Sequence, residues 1–250
     1  AIHGVTPGEF AGATVRAAGD VNGDGFDDVI IGASGALSLD YGAAYVVFGK
    51  DSTDMVHLDE VARGNGGFMI KGAVGVEEVS VGGKTDWLGW GVSGIGDVNG
   101  DGLDDVLVGA PFASVDHMEG GISFIVFGKE DGGMIDLASD SSDGAAVAII
   151  GDADDARTGF TVSGAGDVNG DGLLDLIIGA PTSTGSEPVA GAAYVVFGRE
   201  DWDVIHLSDV RAGVGGFVVL GEATTDKAGF SVHGGGDVNG DGFDDIVVGV

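Results

Sequence analysis

No cysteine occurs in the 250 residues, so disulfides contribute nothing to this chain and thiolate ligands for zinc or copper are excluded. Basic residues are scarce: 10 Lys and Arg stand against 41 Asp and Glu, a formal charge of −31. That balance repels a phosphate backbone, which excludes nucleic acid as a partner and makes cations the natural counterpart. Proline is limited to four residues and the 51 glycines follow no Gly-X-Y period, which excludes collagen. The glycines are expected in turns and tight backbone approaches. No apolar run approaches the roughly 18 residues that cross a bilayer, so no transmembrane segment is expected. None of the five Asn residues stands in Asn-x-Ser/Thr, so attached N-glycans are not expected either.

What is present is a repeat. Asp20, Asp97, Asp167 and Asp237 open four copies of one unit, spaced 77, 70 and 70 residues apart. Repeats of this length mean an array or a propeller. The first copy shows four short β runs, at 14–18, 29–33, 44–48 and 67–70, and no segment shows a helical period. The second run is apolar and β-branched throughout, as in Val29-Ile30-Ile31 and Leu176-Ile177-Ile178, the pattern of a strand buried on both faces. The third ends each time in Phe-Gly, at Phe48, Phe127 and Phe197. These runs predict an all-β chain, a β-propeller of four-stranded antiparallel blades. A single domain over 1–250 is expected, with repeats at 1–72, 73–151, 152–221 and 222–250. About three and a half blades do not close a ring, so the chain reads as part of a longer propeller, completed by its own further blades or by a second chain.

Each copy carries Gly-Asp-Val-Asn-Gly-Asp-Gly followed three residues later by Asp. Oxygen side chains fall at loop positions 1, 3, 5 and 9, with glycine at 6 for a sharp turn. Calcium takes six to eight oxygens in irregular geometry, so the candidate ligands are these four side chains and the carbonyl at position 7. They are Asp20, Asn22, Asp24, Phe26 and Asp28; Asp97, Asn99, Asp101, Leu103 and Asp105; Asp167, Asn169, Asp171, Leu173 and Asp175; and Asp237, Asn239, Asp241, Phe243 and Asp245. Up to four Ca2+ are expected. Leu174 at position 8 of the third loop identifies position 9 as the ligand and leaves Asp27, Asp104 and Asp244 as surface or outer charge. An EF-hand requires an acid at position 12 and a helix after it. Position 12 here is Ile31, Val108, Ile178 and Val248, so the loop joins two strands.

The pattern Gly-x-x-Val-x-x-x-Gly-Asp-Val-Asn-Gly-Asp-Gly-x-x-Asp, followed by Gly109-Ala110-Pro111 and Gly179-Ala180-Pro181, resembles the FG-GAP repeat of integrin α-subunit β-propellers and their bacterial relatives. The family's leading Phe is replaced by Ala11, Leu88, Thr158 and Ala228, while aromatics follow the next glycine at Trp90, Phe160 and Phe230. The resemblance implies a seven-bladed propeller with structural calcium on the face opposite its ligand surface. Ligand contact would fall to loops 37–41, 112–120 and 182–190 and to an interblade insertion at 74–87.

The expected function is an extracellular, secreted or cell-surface adhesion or ligand-binding module whose partner is a protein or glycan at the cell surface or matrix. A lectin-like variant would stack sugars on Trp87, Trp90, Trp202 or Tyr41, although ordinary blade packing accounts for such aromatics as well. The propeller part of a secreted enzyme is the alternative. Catalysis is not expected of this chain itself. His57 and His206 share one repeat position with Asp136, and His3, His117 and His233 have no partner at motif spacing.

Overall fold

A computed structural model describes every residue except 6, 36–41, 73–85, 139–143 and 184–189. The chain begins with β1 (Ile2–His3). The first blade contains β2 (Val15–Gly19), β3 (Asp28–Ala33), β4 (Ala43–Val47) and β6 (Gly67–Lys71), with β5 (Val56–His57) and the helical turn α1 (Leu58–Val61) between β4 and β6. The second contains β7 (Gly91–Gly96), β8 (Asp105–Ala110), β9 (Ile122–Val126) and β11 (Ala146–Ile150), with β10 (Ile135–Asp136) before β11. The third contains β12 (Thr161–Gly166), β13 (Asp175–Ala180), β14 (Ala192–Val196) and β16 (Gly216–Leu220), with β15 (Ile205–His206) and α2 (Leu207–Arg211) before β16. β17 (Ser231–Gly236) and β18 (Asp245–Gly249) supply two strands of a fourth. All four-stranded ladders are antiparallel meanders, so the expected partial propeller is observed.

The apolar second strands behave as their composition demands. Val106 and Val108 of β8 pack with Ile30, Val46 and Phe68 of the first blade, whereas Leu107 packs with Leu176 and Ile178 of the third. Alternate residues of one strand thus enter two different cores. Glycines set the closest approaches: a Cβ on Gly109 would lie 2.0 Å from the Gly159 carbonyl oxygen, and one on Gly179 the same distance from that of Gly229. The Gly of Gly-Ala-Pro is therefore the point where the next blade's entry loop presses on the second strand. First strands of successive blades also touch, since a Cβ on Gly94 would lie 2.7 Å from the Ala17 oxygen.

Two features depart from the sequence reading. The dipeptides at 56–57, 135–136 and 205–206 form short parallel strands on the outer edge of the preceding unit: β5 pairs with β1, β10 with β6 and β15 with β11. This is the edge position of His57, Asp136 and His206. The turns α1 and α2 were not anticipated, because each buries only an i, i+3 pair, Leu58 with Val61 and Leu207 with Val210, too little for a 3.6-residue period to register. No helix among the described residues is long and apolar enough to cross a membrane.

Candidate metal centres

Each first strand ends in a β-bulge, between Ala17 and Gly19 and at the three equivalent positions, and the bulge turns the chain out of the sheet into the acidic loop. The loops are then wound by Asx turns, in which a short side-chain oxygen accepts from a backbone amide further along. In the first, Asp20 Oδ1 accepts the Asp24 N–H at 3.0 Å and Oδ2 the Gly25 N–H at 2.8 Å. Asn22 Oδ1 accepts the Asp24 N–H and Asp24 Oδ1 the Phe26 N–H, both at 2.9 Å. The same turns recur on Asp97, Asn99 and Asp101, on Asp167, Asn169 and Asp171, and on Asp237, Asn239 and Asp241. Gly25, with φ of +88°, and its counterparts supply the left-handed residue at position 6.

The ninth-position carboxylate ties the loop to the blade. Asp28 Oδ2 accepts the Val21 N–H at 3.0 Å and Oδ1 the Gly49 N–H at 2.7 Å, so it joins the loop to the end of the third strand. Asp105 does this with Val98 and Gly128, and Asp175 with Val168 and Gly198. Asp245 accepts from Val238. Burial raises the carboxyls of the first three loops above the ordinary 3.8, Asp28 to about 6, Asp105 to about 7 and Asp175 in the same direction. The backbone bonds oppose the rise, and the acids at loop positions 5 and 1 add to it. Among the described residues no lysine, arginine or histidine forms an ion pair with a loop acid.

Each loop thus brings three carboxylates, one amide oxygen and a position-7 carbonyl into a nine-residue turn. The set is all oxygen, which suits a hard divalent cation and calcium's tolerance of irregular shells. Among the described residues no three His, Cys, Asp or Glu side chains converge as a closed cage. The loops are held by their amides. Position 12 lies on β3, β8, β13 and β18, so the loops do connect strands.

The opposite end of the first strands carries an aromatic file. Trp90 lies 5.4 Å from Phe160, which lies 5.2 Å from Phe230, while Trp87 and Phe112 flank Trp90 at 5.2 and 6.2 Å. The guanidinium of Arg157 sits 5.1 Å above Phe112. Trp202 is packed between blades, and its Nε1–H donates to the Val98 carbonyl at 2.9 Å. Of the expected ligand loops, 112–120 is described, whereas 37–41 with Tyr41, most of 74–87 and most of 182–190 lie outside the described residues.

A family model described as FG-GAP repeat matches residues 11–47, 88–133 and 158–196. The chain is 30 % identical over 177 residues to integrin alpha pat-2 of Caenorhabditis elegans, covering 69 % of this chain and 13 % of that protein. It is 35 % identical over 183 residues to integrin alpha-PS5 of Drosophila melanogaster, covering 72 % and 16 %. It is also 28 % identical over 205 residues to phosphatidylinositol-glycan-specific phospholipase D of Dictyostelium discoideum, covering 78 % and 20 %. The chain therefore spans a fifth or less of these relatives. Three matched repeats set on three successive blades, with integrin α relatives along most of the chain, establish that it belongs to the FG-GAP repeat family as an integrin-α-like propeller.

Proposed function

We propose that this chain is a calcium-braced propeller serving an extracellular ligand-binding or adhesion protein. Ca2+ would be held in up to four loops, by Asp20, Asn22, Asp24, the Phe26 carbonyl and Asp28 in the first and by the corresponding residues of the other three. The observation that carries the reading is the ninth-position carboxylate, buried in the first three loops and repelled by the acids at positions 5 and 1, with no lysine, arginine or histidine ion-paired to a loop acid among the described residues, in a donor set repeated four times. A divalent cation there would neutralise the mutual repulsion of the loop acids and oppose the desolvation of the ninth. Its role is to brace the blade, since the ninth donor links the loop to the end of the third strand.

The ligand would meet the other end of the blades, where Trp87, Trp90 and Phe112 cluster beside the 112–120 loop. The test is calorimetric titration with Ca2+ together with thermal melts in excess Ca2+ and excess EGTA at pH 8. A site filled at 100 times its Kd adds about 2.7 kcal/mol. Several bound ions and a melting temperature higher in Ca2+ by several degrees are expected; no heat and identical melts would remove the calcium reading. The phospholipase D likeness favours a second reading, in which the propeller is an appendage of a secreted hydrolase. Phosphodiesterase assay of the full-length protein decides between the two.

A further inference from the structure

Position 8 of the loop, expected to be outlying charge, faces the neighbouring blade. Asp104 of the second loop turns its carboxylate away from its own loop, so that Oδ2 accepts the Asp20 N–H at 2.7 Å and the Asp104 N–H donates to the Asp20 carbonyl at 3.1 Å. The fourth loop treats the third in the same way: Asp244 Oδ2 accepts the Asp167 N–H at 2.8 Å, and the Asp244 N–H donates to the Asp167 carbonyl at 3.0 Å. Glycine makes room for each carboxylate. A Cβ on Gly19 would lie 2.0 Å from Asp104 Oδ2, and one on Gly166 the same distance from Asp244 Oδ2. Position 7 follows the same pairing, with Leu103 against Gly23 and Phe243 against Gly170. Between the second and third loops the arrangement changes. Position 8 is Leu174, whose Cδ1 faces Gly96, and the space beside Gly100 is open. Leucine offers no acceptor to the Asp97 N–H.

Asp20 and Asp167 are first donors of their loops under the calcium reading on which this step rests, and Asp104 and Asp244 adjoin the ninth donors Asp105 and Asp245. The geometry points to coupling of the cation loops in pairs: a cation in the second loop favours one in the first, and a cation in the fourth favours one in the third. The second and third loops lack this link. A cation at Asp105 orders the 104–105 peptide and fixes the Asp104 carboxylate on the Asp20 amide. The Asp20 side chain is then placed before its own cation arrives, and less ordering entropy remains to be lost. The coupling is reciprocal by linkage. Asp104 and Asp244 are positioning residues, since they act on a backbone amide.

The test is a Ca2+ titration of the 15N-labelled chain, reading each loop at its sixth-position amide, Gly25, Gly102, Gly172 or Gly242. Disabling the second loop with Asp101→Ala should weaken the first about 5-fold and leave the third unmoved. In an Asp104→Leu background the same change should no longer reach the first loop, which closes a double-mutant cycle. Leu174→Asp should create the missing link, so that Asp171→Ala then weakens the second loop. That arm decides alone if Asp104→Leu does not fold. Calcium binding with the first loop indifferent to Asp101→Ala, or equally sensitive with and without Asp104, overturns the coupling and leaves the calcium reading standing. Failure of every loop glycine to respond to Ca2+ overturns both.

Discussion

Replacing Asp105 by alanine in calcium-free protein sets two effects of known sign against each other. The side chain is fully buried and accepts two backbone hydrogen bonds, from Val98 and Gly128. Alanine leaves both N–H groups unpartnered, at about 1–3 kcal/mol each. Against that loss stands the cost of burying the charge, which raises the carboxyl from 3.8 to about 7. A folded-state pKa above the unfolded one means that the carboxyl's contribution is fully present below pH 3.8 and lost as pH rises through about 7. Between pH 5 and pH 8 that loss is about 2.5 kcal/mol, at about 1.4 kcal/mol per pH unit over the part of the window crossed. Asp105→Ala should therefore cost about 2–6 kcal/mol below pH 3.8, less by about 1.7 kcal/mol at pH 5, and less by about a further 2.5 kcal/mol at pH 8. The assay is urea unfolding of stripped protein, desalted into calcium-free buffer, followed by circular dichroism at both pH values. A penalty at pH 8 equal to or larger than that at pH 5 would refute the reasoning. Excess Ca2+ at pH 8 should restore a large penalty, because the variant then lacks one of the proposed donors.

Gly109→Ala places a Cβ 2.0 Å from the Gly159 oxygen and should lower stability by about 1–3 kcal/mol or more, read as the urea midpoint, with calcium stoichiometry unchanged. Arg211→Ala strips the arginine from Asp152, whose side chain is 2 % exposed and which also accepts the Tyr194 hydroxyl at 2.7 Å; a loss of about 3–5 kcal/mol is expected in the same assay. Trp202→Phe deletes the donor to the Val98 carbonyl and should cost about 1 kcal/mol, alike in Ca2+ and EGTA, because that carbonyl is not among the proposed donors.

Much of the blade is legible locally. The β runs read at 14–18 and 67–70 end within a residue of β2 and β6, because strand period and turn glycines are properties of short windows. The acidic loop itself is equally visible, since its spacing lies within nine residues, and the missing acid at position 12 agrees with the strand that follows it. What escaped notice joins distant residues. Asp104 meets Asp20 across 84 positions and Asp244 meets Asp167 across 77, and no local period records such a contact. The one sequence signal is the contrast of Leu174 with Asp27, Asp104 and Asp244, which bears on position 9 and also marks a change of blade interface. The parallel strands β5, β10 and β15 escaped for a related reason: two residues with a single outer pairing carry too little pattern to register.

The acid excess thereby acquires a location and a consequence. In a stacked array each blade is stabilised by its own ladder and by its contacts with two neighbours. The apolar cores between blades respond little to solution conditions at constant temperature, and the closely set first strands, packed through glycines such as Gly94, leave little room for adjustment. The loop ends are different, because among the described residues their acids form no ion pair with a basic side chain and two of the loops reach the preceding blade through hydrogen bonds. Cation supply would then act selectively, tightening the first-to-second and third-to-fourth interfaces through Asp104 and Asp244 while the second-to-third interface rests on Leu174 and Trp202. Hydrogen exchange should accordingly separate the interfaces, with calcium protecting the amides of Asp20 and Asp167 far more than that of Asp97. Equal protection of all three would mean that the brace acts within blades alone.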